Sequence, residues 1–151
     1  MGGRLALAAF LAACLVGCGE AVPDRDVVER QMAQSLTETV DDHGYPLILT
    51  QAEFQDGDEG LWWITQFMDP AQSPAVGMAS TEELVFEYPL EGLVAAVREN
   101  DDDLRAVGTQ VFIIAFRGDS TVYEIDAELM WEFAEGDLAW REVTDRMLIS
   151  G

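Results

Sequence analysis

The sequence predicts an α+β domain with a mainly antiparallel sheet of about five strands, in the order α-β-β-β-α-β-β-α-α. Three observations lead there. Val28, Met32, Leu36 and Val40 repeat at spacing four and mark an amphipathic helix. Leu47 to Phe54 and Leu61 to Met68 flank the turn Gln55-Asp-Gly-Asp-Glu-Gly60 and mark a hairpin. Gln110 to Arg117 and Thr121 to Ile125 flank Gly118-Asp119-Ser120 and mark a second. Adjacent hairpins with few crossovers favour antiparallel pairing.

The elements follow in order. Pro23-Asp24 opens the first helix, with Asp24 as N-cap, and Gly44 stops it. Asp69 to Ala79 carries Pro70 and Pro74 and reads as a loop. Ser80-Thr-Glu-Glu83 has the form of a capping box. Leu84 to Tyr88 nevertheless alternates, and Pro89 would stop a helix within two turns, so a strand is expected there. Pro89 then opens a helix with Leu90, Leu93, Val94 and Val97 on one face, ended by Glu99-Asn-Asp-Asp-Asp103. Asp126 caps a helix through Leu129, Met130 and Phe133, and Gly136-Asp137 breaks it. Leu138 to Leu148 forms the last helix, with Trp140, Val143 and Met147 inward. A single domain of this size buries enough core to fold without disulfides.

Composition removes several functions. The chain has 151 residues and a formal net charge of −21, from 8 Lys+Arg against 29 Asp+Glu. Every basic residue but His43 is an arginine. Without lysine there is neither a Schiff-base nucleophile nor a P-loop. Cys14, Cys18 and His43 are too few for a zinc site of several Cys or His, or for a disulfide scaffold. The acid excess argues against nucleic-acid binding.

The first residues read as an address. Arg4 precedes an apolar run from Leu5 to Val16, too short to span a bilayer and suited to a signal peptide. The run ends in Leu15-Val16-Gly17-Cys18, which resembles the lipobox of bacterial lipoprotein precursors. The resemblance implies cleavage after Gly17 and acyl chains, palmitate among them, on Cys18. Residues 1–17 are then the signal peptide, 18–22 a tether and 23–151 the domain. Two or three acyl chains anchor a protein to a membrane essentially permanently. Leu11-Ala12-Ala13-Cys14 is a second match, but it would leave Leu15 and Val16 in the mature tail. The alternatives are a plain secretory signal, with Cys18 a free thiol, or a transmembrane anchor. Residue 19 is Gly rather than Asp, which for lipoproteins of two-membrane bacteria favours the periplasmic face of the outer membrane over the inner membrane.

Losing Arg4 leaves seven arginines against 29 acids in 18–151, a net −22. An acid-rich, lysine-free surface fits a salt-rich habitat, where self-repulsion is screened. A GC-rich genome combined with an acidic functional surface is the rival explanation.

Few constellations carry chemistry. Asp56 and Asp58, and separately Asp101, Asp102 and Asp103, are the candidate cation ligands, since calcium takes several oxygens. The first group fails the EF-hand spacing and fits a hairpin turn; both groups also read as solvated loops. His43, beside Asp41, Asp42 and Tyr45, reads as a structural residue at a helix end, with a catalytic dyad or ligand as the alternative. There is no Gly-x-Ser-x-Gly elbow. Trp62-Trp63 is the one aromatic feature of note. Neighbours in a strand point to opposite faces, so the two indoles separate. If helices cover both faces, both are core; if one face is open, Trp62 or Trp63 marks a contact surface.

The expectation is a lipid-anchored envelope protein acting as a non-enzymatic binding or assembly module. It would use no cofactor or nucleic acid. Its partners would be the membrane, through the anchor, and another envelope protein. A divalent-cation-binding lipoprotein is the alternative, and an unrecognised hydrolase comes third.

Overall fold

The computed structural model describes residues 21–72 and 79–151. The segment expected to be a signal peptide, with Cys14 and Cys18, lies outside the described residues. The chain runs α1 (Arg25–Asp42), β1 (Leu49–Gly57), β2 (Gly60–Phe67), α2 (Tyr88–Glu99), α3 (Asp101–Ala106), β3 (Thr109–Phe116), β4 (Val122–Asp126), α4 (Ala127–Glu135), α5 (Trp140–Arg146) and β5 (Leu148–Ser150). The strands form one five-stranded sheet in sequence order, so the fold is α+β with a mostly antiparallel sheet, as expected. The exception is the central pair: β2 and β3 run parallel, joined by the crossover that contains α2 and α3.

Helix starts and stops follow local chemistry. The Asp24 carboxylate accepts from the Asp26 N–H at 2.9 Å, and Asp126 accepts from the Glu128 N–H at 2.8 Å. Gly44 and Gly136 take φ of 63° and 88° just beyond α1 and α4, a conformation glycine adopts without strain. Val28, Met32 and Leu36 of α1, Leu93 and Val94 of α2 and Met130 of α4 are fully buried against Trp63, Phe67, Phe112 and Ile125 of the sheet. Each such side chain contributes about 1.5–3 kcal/mol on burial.

Three segments differ from the sequence reading. Glu83 to Glu87 is not a strand but one widened helical turn, with the Tyr88 N–H reaching back to the Glu83 carbonyl. The capping box upstream is real: Ser80 N–H donates to Glu83 at 2.6 Å, and Glu83 N–H to the Ser80 hydroxyl at 3.2 Å. In a regular helix the Pro89 ring would press on the carbonyl four residues back. The widened turn relieves that crowding, so the helix passes through Pro89. Second, the last helix ends at Arg146, and Leu148 to Ser150 becomes the fifth strand, paired with β4. Third, Asp101, Asp102 and Asp103 follow the end of α2, as expected, but do not run out into a loop. They form the first turn of α3, where negative charge is favourable.

Candidate functional site

Among the described residues, helices pack on one face of the sheet and leave the other open. Alternation puts Phe54, Trp63, Thr65, Phe67, Phe112, Ile114, Phe116 and Ile125 on the helix side, all buried. The opposite positions of β2, β3 and β4 are Trp62, Ile64, Val111, Ile113, Ala115 and Val122. None of these six belongs to the core cluster, although Ile113 is only 3% exposed. The register aligns them in rows: Gln55–Trp62–Val111–Asp126, then Glu53–Ile64–Ile113–Glu124–Leu148, then Gln51–Gln66–Ala115–Val122–Ser150. An apolar stripe therefore runs over the central strands, with polar and acidic side chains on both flanks.

The two tryptophans separate as alternation requires. Trp63 is fully buried, donates its indole N–H to the Thr65 hydroxyl at 2.8 Å and meets Phe54 edge-on at 5.0 Å. Trp62 is half-buried on the open face. Its indole lies against Gly57, where a Cβ would collide with the ring. Its N–H is enclosed and meets no acceptor among the described residues. Beside it a cleft of about 370 Å³ opens between the β1–β2 turn and the C-terminal strand. Trp62, Val111 and Leu148 supply its apolar walls, and Asp58, Glu59, Glu124 and Asp126 its carboxylates. Arg146 also lines it but is turned to Glu132, at 2.8 Å.

The two edges of the sheet differ. Glu29 of α1 accepts the Phe54 N–H at 2.8 Å, and Arg25 pairs with Asp56 at 3.1 Å, so α1 side chains close the β1 edge. β5 carries no charged residue, and Leu148 and Ile149 are 69% and 61% exposed.

The candidate cation ligands do not converge. Asp56 is held by Arg25, Asp58 sits at the hairpin turn, and Asp101 accepts from Arg105 at 2.7 Å. Among the described residues, no three His, Cys, Asp or Glu side chains form a group able to hold a metal ion. Asn100, which precedes those acids in the sequence, is buried and bridges helices: its amide donates to Ser35 Oγ at 3.0 Å and to the Ala96 carbonyl at 2.9 Å. His43 caps the end of α1, with Nδ1 2.9 Å from the Thr39 carbonyl, and stacks on Tyr45, which stacks on Tyr88. Burial, then Glu91 and Glu87, raise the Tyr45 hydroxyl above the usual range.

Sequence reasoning found Trp62 but missed Val111, Ile113, Ala115 and Val122 as its neighbours. The available signal was alternation within Val111 to Phe116, hidden because both sets of side chains there are apolar.

Several carboxylates are held below their ordinary range by hydrogen bonds. Gln55 and Gln51 do this for Glu53, the Ser80 backbone and hydroxyl for Glu83, the Thr121 backbone for Asp119, and Arg146 for Glu132. A depressed folded value gives stability that is present above the unfolded value and lost as pH falls through the folded one. The thermal midpoint is therefore expected to fall as pH drops from about 5 to 3. A midpoint that rises throughout that range would mean that relief of the acid–acid repulsion outweighs these bonds.

No protein-family model matches the chain, no curated protein matches it, and no solved structure matches it. Fold and site together define its class as a two-layer α+β domain with helices on one face of the sheet and an acid-flanked apolar stripe on the other. Among the described residues, no helix is long and apolar enough to cross a membrane.

Proposed function

We propose that this chain is a lipid-anchored, extracytoplasmic protein whose domain works as a non-enzymatic binding or assembly module, with the open sheet face as its contact surface. The observation that carries the binding role is one-sided packing: six apolar residues on three central strands stand outside the core cluster, with no helix over them among the described residues. Apolar area arranged in a contiguous stripe favours contact with another molecule. The anchor rests on Leu15-Val16-Gly17-Cys18 and the apolar run before it. The acid coat fits a salt-rich medium, in which the remaining surface stays soluble.

Two measurements test this reading. Cys18→Ser is expected to abolish incorporation of labelled palmitate and to release the chain from membranes. A photoreactive residue at Ala115 is expected to cross-link a partner in living cells, whereas one at Gln31, exposed on α1, is not. Cross-linking from Gln31 alone would move the contact surface to the helices.

A further inference from the structure

Resting on that reading, we infer that the open face takes a cationic segment of a partner protein, with an arginine side chain of that segment seated in the cleft beside Trp62. Charge complementarity selects this occupant. The ionisable side chains in the strand rows of the face are Glu53, Glu124 and Asp126, with Asp58 and Glu59 at its hairpin end; Arg117, which follows Ala115 by alternation, stands at the opposite end, away from the Trp62 cleft. Arg146, at the corner, is committed to Glu132. A second copy would bring the same acids against these, and an anionic lipid surface would be repelled in the same way. A cationic segment meets an opposite charge on both flanks while its apolar side chains cover the stripe.

The chain itself shows how such a cleft takes arginine. Arg105 lies over the Trp131 ring at 4.4 Å, with Asp101 at 2.7 Å and Glu135 at 3.6 Å. Arg141 lies over Trp140 at 5.1 Å and pairs with Glu82 at 3.6 Å. Arg25 lies over Phe54 at 5.8 Å and pairs with Asp56 at 3.1 Å. Each places a guanidinium on an aromatic face with a carboxylate beside it, and planar guanidinium suits both contacts. The Trp62 cleft has the indole and four carboxylates, and its own arginine is turned elsewhere. A guanidinium supplied by a partner completes the same arrangement there.

The test uses the full-length chain in detergent and a seven-residue peptide alternating leucine and arginine. A second peptide replaces arginine with citrulline, which keeps the shape and removes the charge. The arginine peptide is expected to bind at least about tenfold more tightly than the citrulline peptide and to quench tryptophan emission, a quench absent in Trp62→Phe. Glu124→Gln with Asp126→Asn is expected to weaken it about tenfold without moving the thermal midpoint, since asparagine also caps a helix. Asp41→Asn with Asp42→Asn removes as much charge at a distance and is expected to leave binding unchanged. Equal affinity for both peptides, or equal loss in the two acid-pair variants, overturns the inference. So does binding of phosphatidylglycerol vesicles through Trp62. If the arginine peptide fails while Ala115 still cross-links a partner in cells, the face remains the contact surface and only the cationic occupant is wrong. If both fail, the reading of the face falls as well.

Discussion

Trp63→Ala is expected to lower stability by about 3–5 kcal/mol, whereas Trp62→Ala, one residue away, is expected to cost about 1–2 kcal/mol. The Trp63 indole is fully buried among helix and sheet side chains, so its removal leaves a large cavity and strands the Thr65 hydroxyl. Phe54 also loses its edge-on partner. At Trp62 the loss of cover over Gly57 is partly offset by removing an indole N–H that has no acceptor among the described residues. A domain of ordinary stability has about 5–15 kcal/mol in all, so the first change can unfold a large fraction of the protein. Denaturant unfolding of the two variants checks this. Equal losses, or the reverse order, would mean that the sheet is not divided into a packed and an open face.

Asn100→Ala is expected to cost about 2–3 kcal/mol, a large effect for a residue in an Asp-rich run. Its amide ties Ser35 of α1 to the Ala96 carbonyl of α2 at the point where α2 gives way to α3. Deleting it leaves a buried hydroxyl and a buried carbonyl short of a donor. Ser35→Ala is expected to cost about 1 kcal/mol, because Asn100 keeps its other acceptor. A double-mutant cycle should return a coupling of about 1 kcal/mol. Strict additivity would show that the two side chains do not stabilise the helix junction through each other.

Features decided within a few residues were legible in the sequence. The caps at Asp24 and Asp126, the stop at Gly136 and the β1–β2 hairpin all appear where local chemistry places them. The opposed directions of Trp62 and Trp63 followed from strand alternation alone. Features decided by distant partners were not. Leu84 to Tyr88 carries a strand-like alternation, and only the helical turn above Pro89 reveals that the capping box was the stronger signal. Leu148 to Ser150 continues an acceptable helical pattern and is drawn into the sheet by the edge of β4. The open face itself required knowing on which side the helices lie, and no single strand carries that information.

The parallel junction of β2 with β3 also sets the order of events during folding. The β1–β2 hairpin is local and can close within microseconds. Its junction with β3 must wait until residues 68–108 have looped back, an entropic cost met before any of its own hydrogen bonds form. In that interval both sides of the hairpin are wet, and Trp62 is no more exposed than Trp63. Asp56, Asp58 and Glu59 crowd the tip of that early hairpin. Like charge at the tips of two such hairpins disfavours their pairing side by side.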